Sequence, residues 1–239
     1  MNQKTFSKKG TISVIIPALN EENNITACID AARQDYSQEQ VEIIVVDGGS
    51  TDRTRSLVPP GIILIVTRPN RAHQMNTGAL EACGEVLVFC HSDTRLTFGW
   101  REKILSVLSD PQVCGGAFQT RLEPETRNIK WWNRMKLPND WRFFYGDQAM
   151  FIRHSIFREI GGFEEIPLME DVELARAMVK RGKLIRIDSL VLTDSRRIVE
   201  NGPVRQILGN VWRMIWYLYL GATPQQIADS YQSSREKLR

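Results

Sequence analysis

Cysteine is scarce in this 239-residue chain, and its four positions, Cys28, Cys83, Cys90 and Cys114, form no Cys-x-x-Cys pair. A zinc site or a disulfide framework needs a closer or more regular spacing, so neither is expected. Three of the four sit in apolar, helix- or strand-like surroundings, as buried free thiols do in a reducing compartment. An excess of one charge is also lacking: 31 basic residues face 28 acidic ones, a net charge of +3. That is too little to argue for nucleic acid, though it suits an anionic ligand or an acidic membrane surface. The polar, basic stretch from Met1 to Gly10 has no apolar core of signal-peptide length, which makes the cytoplasm the expected location. The densest apolar segment, Trp212 to Leu220, falls well short of the roughly 20 residues that cross a bilayer. No internal repeat, low-complexity tract or long disordered stretch interrupts the chain. With 42% hydrophobic and 25% charged residues, it has the material for one large folded domain rather than two.

What is present, in the first half, is an alternation of two periodicities. Ile12 to Ile16 is a β-branched run stopped by Pro17 and reads as a buried strand. Ile25, Cys28, Ile29 and Ala32 then recur at helical spacing. Glu42 to Val46 is a second strand, running into the turn-forming Asp47-Gly48-Gly49-Ser50. Ile62 to Val66 reads as a third strand, Arg71 to Ala82 as a helix and Val86 to Cys90 as a fourth strand. Such alternation implies right-handed crossovers and a mostly parallel sheet flanked by helices. Strands that are apolar throughout fit a sheet covered on both faces.

The second half loses this rhythm. Gly115 to Leu122 and Gln148 to Arg153 are further strand candidates, separated by an irregular aromatic stretch with Trp131, Trp132, Trp141, Phe143, Phe144 and Tyr145. Met169 to Lys180 reads as a helix with Val172, Ala175, Met178 and Val179 on one face and Gly182 as its C-cap. Leu184 to Ile187 reads as a last short strand. A helical tail follows, its segment Trp212 to Leu220 flanked by Arg205 and Arg213.

Ligands of open α/β sheets gather beyond the carboxyl ends of the strands. Three such ends carry acids here: Pro17-Ala18-Leu19-Asn20-Glu21-Glu22, Asp47-Gly48-Gly49-Ser50-Thr51-Asp52, and His91-Ser92-Asp93. One acid alone is equally well read as a cap on the next helix; three at one rim point to a site. These segments, with Gly84 leading into the third, and with Gly161-Gly162-Phe163 and Glu170-Asp171 after them, resemble in order the motifs of family 2 glycosyltransferases. The resemblance runs from about Ile12 to Asp188, and the stretch from Gly221 to Tyr231 is similar to a bacterial subgroup of that family.

The resemblance implies a GT-A, Rossmann-like fold and an inverting transfer of a sugar from a nucleoside-diphosphate donor to an acceptor hydroxyl. It places the donor at the first rim, with Pro17, Leu19, Asn20 and Glu21 or Glu22 around the nucleoside. Asp47, beside Gly48, would accept a hydrogen bond from the base, a UDP-sugar being favoured over a GDP-sugar; the alternative for Asp47 is a turn acid. Arg71, Gln74 and Asn76 open a helix, where an arginine and free N–H groups suit phosphate. Ser92 and Asp93 occupy the metal motif of the family, and Asp93 is the expected ligand for Mn2+ or Mg2+. His91 replaces the first acid of that motif and is either a second ligand, better tolerated by Mn2+, or a hydrogen-bonded neighbour. Asp171, with Glu170 beside it, is implied as the general base that deprotonates the acceptor hydroxyl; the helix dipole would also favour acids there. Gly146, Asp147 and Gln148 are implied on the acceptor side, with Trp141 among the aromatics that could stack on a sugar or sit in the core. Arg196 and Arg197 would clamp phosphate, or line a solvated loop.

Two other classes compete. A sugar nucleotidylyltransferase would carry a glycine-rich, basic loop after the first strand, where this chain has Asn20-Glu21-Glu22. A nucleotide-sugar-binding protein without turnover is hinted at by His91 alone, against the retained Asp47, Asp93 and Asp171. Trp212 to Leu220 could lie at the inner face of a membrane, serving a lipid-linked acceptor, or pack as a core or dimer helix. The expected organisation is a tail over 1–10, a transferase domain over 11–194 with a nucleotide half (11–95) and an acceptor half (96–194), and a helical extension over 195–239.

Overall fold

The computed structural model describes residues 10–34, 36–127, 129–195 and 203–236. Among them, one eight-stranded sheet contains β1 (Ile12–Ala18), β2 (Val41–Asp47), β3 (Ile63–Val66), β4 (Val86–Phe89), β5 (Thr94–Leu96), β6 (Val113–Glu123), β7 (Met150–Arg153) and β8 (Lys183–Asp194). Their order is β3-β2-β1-β4-β7-β6-β8-β5. The half from β3 to β4 is parallel. Beyond β4 the sheet is mixed: β7 runs antiparallel to β4 and β6, β8 parallel to β6, and β5 antiparallel to β8. The helices are α1 (Ile25–Arg33), α2 (Arg71–Glu81), α3 (Trp100–Val107), α4 (His154–Glu159), α5 (Glu170–Met178), α6 (Pro203–Tyr219) and α7 (Pro224–Glu236).

The apolar strands β1, β2 and β4 are buried because each face has its own helix layer, whereas β3, at the sheet edge, is largely exposed. Val14 and Ile16 of β1 join one core cluster with Ile25, Cys28, Ile29 and Ala32 of α1. Ile15, pointing the other way, joins a second with Ala72, Met75 and Ala79 of α2. α2 lies so close to the sheet that a Cβ on Gly78 would stand 2.5 Å from Ile15 Cγ2. These two contacts place the start of α1 and the start of α2 beside the same strand ends, which is what the site requires.

The structure corrects several sequence expectations. The last strand is not confined to Leu184–Ile187; β8 has twelve residues, and its interspersed Arg186, Asp188 and Ser189 broke the apolar run that marked it. β5, α3 and α4 had no periodicity long enough to read. On α5, Leu174 rather than Val179 completes the buried face, and Val179 is exposed. Gly182 is needed for proximity, not as a left-handed cap: a Cβ there would lie 2.7 Å from the Gln112 carbonyl oxygen. All four cysteines are free, with Cys28, Cys90 and Cys114 buried.

The C-terminal helices return to the body of the molecule. Ala222 and Ile227 are buried with Met169 and Val172 of the α5 region, and Trp141, Tyr145 and Tyr217 pack against them. Tyr217 donates a hydrogen bond to Glu173 Oε1 (2.7 Å). No helix among the described residues is long and apolar enough to cross a membrane.

Candidate active site

β1 and β2 end side by side, Ala18 opposite Asp47, so the loops that leave them form one rim. They are stitched together by short polar residues. Asn20 N–H donates to Ser50 Oγ (2.9 Å), and Asn20 Oδ1 accepts from Thr51 N–H (2.9 Å). Glu21 N–H donates to Thr54 Oγ1 (2.7 Å), and Asp52 accepts from the N–H groups of Glu22 (3.1 Å) and Thr54 (2.9 Å). Asn20 adopts φ 55°, a left-handed conformation that asparagine tolerates better than most residues. Leu19 is exposed and Pro17 buried within β1. Glu22 is paired with Arg53 (3.1 Å), and Glu21 accepts from Asn24 Nδ2 (2.7 Å).

Three residues expected at the donor are bonded within the protein. Asp47 is fully buried; its Oδ1 accepts from the N–H groups of Gly49 (3.0 Å) and Ser50 (2.9 Å), and its Oδ2 is bonded to Ser50 Oγ. Its carboxylate therefore shapes the Asp-Gly-Gly-Ser turn, which is the alternative its own sequence offered. Gln74 is buried and donates its amide to the carbonyl oxygens of Ala18 (2.9 Å) and Val46 (2.8 Å), with Gly48 packed over it. Asn76 exchanges two 2.9 Å hydrogen bonds with the main chain of Phe163, fixing the turn that begins at Gly161-Gly162. Gln74 and Asn76 thus hold the main chain of the rim and of the Phe163 turn in place.

The acids gather on the other side of β4. Asp171, in the first turn of α5, accepts from Gly146 N–H at Oδ2 (2.8 Å) and from Val172 N–H at Oδ1 (2.8 Å). A Cβ on Gly146 would stand 2.5 Å from His91 Nε2 and 3.6 Å from Asp171 Oδ2. His91, from the end of β4, and Asp171 thus both flank Gly146, where a larger residue would displace the His91 ring. Met169 and Ala149, in left-handed conformations (φ 74° and 47°) without glycine's freedom, bracket this corner. Glu170 is buried and bonded through Oε1 to Arg71 Nε, while its Oε2 is buried without a hydrogen-bond partner. Burial opposes the charge on Arg71, but the carboxylates of Glu170 and Asp171 outweigh it and raise its pKa. Burial, with Glu170 adding to it, pushes Asp171 up to about 6 against the pull of Arg71. Burial, followed by the charges of Asp93 and Asp171, pushes Asp147 up to about 7, and its Oδ1 is buried without a hydrogen-bond partner.

The acceptor-side residues are also distributed differently from the sequence expectation. Gln148 is buried, accepting from Tyr145 N–H (3.2 Å) and Arg186 Nη1 (3.0 Å). Trp141 lies under Arg176, whose guanidinium carbon is 5.2 Å from the ring centroid. Trp131 is exposed. Arg186, which the sequence reading passed over, organises the aromatic stretch. It donates to the carbonyl oxygens of Phe118 (3.0 Å), Pro138 (3.0 Å) and Phe143 (2.8 Å) and lies 4.4 Å from the Phe144 ring centroid. A charge set among Leu184, Ile185 and Ile187 was its visible signal. Arg196 and Arg197 lie outside the described residues.

The acids suit a hard divalent cation by charge. Asp147 feels both Asp93 and Asp171, and a cation near such a cluster would relieve their repulsion. Among the described residues no three His, Cys, Asp or Glu side chains stand close enough to enclose an ion. Ser92 and Asp93 also line a cleft of about 560 Å³ between the start of α1 and the end of β6.

Solved structures with the same architecture are glycosyltransferases of GT-A fold. One is the mannosyltransferase PcManGT from Pyrobaculum calidifontis in complex with GDP-Man and Mn2+, with a TM-score of 0.61 and 20% identity over 97% of this chain and 75% of that one. Another is S. aureus TarS 1–349 in complex with UDP-GlcNAc, with a TM-score of 0.59 and 17% identity over 95% of this chain and 73% of that one. In sequence, a probable glycosyltransferase of Bacillus subtilis, YdaM, is 29% identical over 221 residues, 80% of this chain. The match spans 51%, about half, of that protein's length. The family model described as Glycosyl transferase family 2 matches residues 13–166, which include both rim loops, His91-Ser92-Asp93 and the Gly146 corner; the chain belongs to that family.

Proposed function

We propose that the protein transfers a sugar from a nucleoside-diphosphate donor to an acceptor hydroxyl with inversion, and that Asp171 is the general base. The observation that carries this reading is the placement of Asp171 and His91 on either side of Gly146, with Asp93 and Asp171 both within electrostatic reach of Asp147. Asp171 takes the hydroxyl proton as the acceptor oxygen attacks the anomeric carbon. The bond from that carbon to the diphosphate oxygen breaks with its electron pair, so no protein nucleophile is needed. A raised pKa makes Asp171 a stronger base than an ordinary carboxylate while leaving it ionised at neutral pH. Glu170 holds Arg71 beside it, and Arg71 in turn favours the ionised form of Asp171. Asp93 would hold Mn2+ or Mg2+, which when bound neutralises charge on the departing diphosphate.

The test is thermal unfolding in the presence of UDP, GDP, CDP or dTDP, each with Mn2+, Mg2+ or EDTA. A nucleotide that binds the folded state raises Tm by mass action without any knowledge of the acceptor. One nucleotide is expected to do so only with metal, and UDP is the first to try. Asp171→Asn should keep that shift and lower transfer by roughly 10²–10⁴-fold. Transfer at the wild-type rate would remove Asp171 from the base role, and no shift with any nucleotide would remove the donor site.

A further inference from the structure

α2 leaves the carboxyl end of β3 and runs back to the start of β4, so its first residue, Arg71, is its outermost. Arg71 and Gln74 are three residues apart and share one face of the helix. Gln74 reaches the carbonyl oxygens of Ala18 and Val46, at the carboxyl ends of β1 and β2. Arg71 therefore lies about 4.5 Å farther along the axis, past those strand ends, and helical side chains lean in that same direction. There it meets α5: its Nε donates to Oε1 of Glu170, the residue before Asp171. The guanidinium thus stands between the rim loops and the helix that carries Asp171.

A guanidinium has five N–H donors, and only one of them is occupied by Glu170. Nη1 and Nη2 of Arg71 make no hydrogen bond among the described residues. The Arg71 side chain is 40% exposed, whereas that of Glu170 is 2% exposed. One edge of the guanidinium is therefore held by a buried carboxylate, and the other is open. Two parallel N–H groups on an open edge match the oxygens of a phosphate. Glu170 is suited to hold the ring plane still, because burial denies it solvent and its other oxygen has no hydrogen-bond partner that could draw it away. Without it, a long and half-exposed arginine would sample several rotamers, and binding would have to restrict them.

We propose that Glu170 is a positioning residue: by holding Nε of Arg71 it presents the Nη edge of the guanidinium to the diphosphate of the donor. This rests on the nucleoside-diphosphate reading above and adds which group aims the phosphate contact. Glu170 then serves the leaving group through Arg71, while Asp171 serves the acceptor hydroxyl. The experiment measures binding to the whole chain with Mn2+, by calorimetry for UDP and by ligand-observed NMR for uridine, which lacks the phosphates. If the thermal panel selects GDP, GDP and guanosine take their places. Glu170→Ala should weaken UDP roughly tenfold or more and leave uridine unchanged. Glu170→Gln, whose amide oxygen still accepts from Nε, should recover most of the loss. Arg71→Ala should weaken UDP at least as much as Glu170→Ala, and combining the two should add nothing, because a residue that acts through Arg71 then has nothing to act on. Should Glu170→Ala fail to fold, Glu170→Met fills the same space without an acceptor and carries the same prediction. Unchanged UDP affinity in the Glu170 variants, equal losses for UDP and uridine, or additive losses in the double variant would each overturn the proposal. A wild-type chain that binds no nucleoside diphosphate would remove the donor site itself, whereas normal wild-type binding with any of those three results removes only the role of Glu170.

Discussion

Asp147 has a buried oxygen without a hydrogen-bond partner and two acidic neighbours, Asp93 and Asp171. Its pKa rises from the ordinary 3.8 to about 7, first through burial and then through those charges. A carboxyl with a raised pKa binds protons more readily in the folded chain, so its contribution to stability is full below about pH 4 and is lost as pH rises through about 7. Asp147→Asn should therefore raise Tm at pH 8 in EDTA by a few degrees, about 1 kcal/mol being worth roughly 2–4 °C in a domain of this size. At pH 4 the variant and wild type should melt together. An equal gain at both pH values would mean that repulsion at this carboxylate is not the cause.

At the scale of elements, the rim depends on how β1, β2 and α2 are locked. Gln74 reaches down from the first turns of α2 and serves Ala18 and Val46, one carbonyl from each of two adjacent strands. Each buried carbonyl left without a donor costs about 1–3 kcal/mol. Gln74→Leu should therefore lower the unfolding free energy by about 1–3 kcal/mol in urea, since Ala18 keeps the Gly48 N–H donor (2.8 Å) and the loss falls mainly on Val46. A variant as stable as wild type would leave Gln74 free for the phosphate role that its place in the sequence implied. The residue type and position were legible along the chain; the direction of the side chain followed only from the packing of Gly78 onto Ile15, which brings α2 against the sheet.

At the scale of the whole molecule, the C-terminal helices pack onto the start of α5. Ile227 of α7 is fully buried against the region that contains Met169 and Val172, and Tyr217 of α6 holds Glu173, two residues after Asp171. Ile227→Ala should cost about 2–5 kcal/mol of stability through loss of burial and the cavity left behind. Below its melting temperature it should impair transfer more than the nucleotide-dependent Tm shift, because the cluster around Ile227 packs against the start of α5 and includes no residue of the loops after β1 and β2. Equal losses in both would show that the two halves respond as one.

The sequence by itself determined the parallel half of the sheet, because strands buried on both faces must be apolar throughout and their helices must keep a 3.6-residue stripe. Val14, Ile15 and Ile16, and the stripe Ile25, Cys28, Ile29 and Ala32, could be read directly for that reason. It also placed acids at the strand ends, since chemistry requires particular residue types there. Only the tertiary structure decided what each acid touches. Asp47 and Asp171 both open a turn or a helix in the sequence and each accepts two main-chain N–H groups, yet Asp47 is held within its own turn while Asp171 reaches Gly146 from another part of the chain, with His91 on the far side of that glycine. The distinction rests on contacts between β4, α5 and the Gly146 loop, far apart along the chain, which no local periodicity encodes.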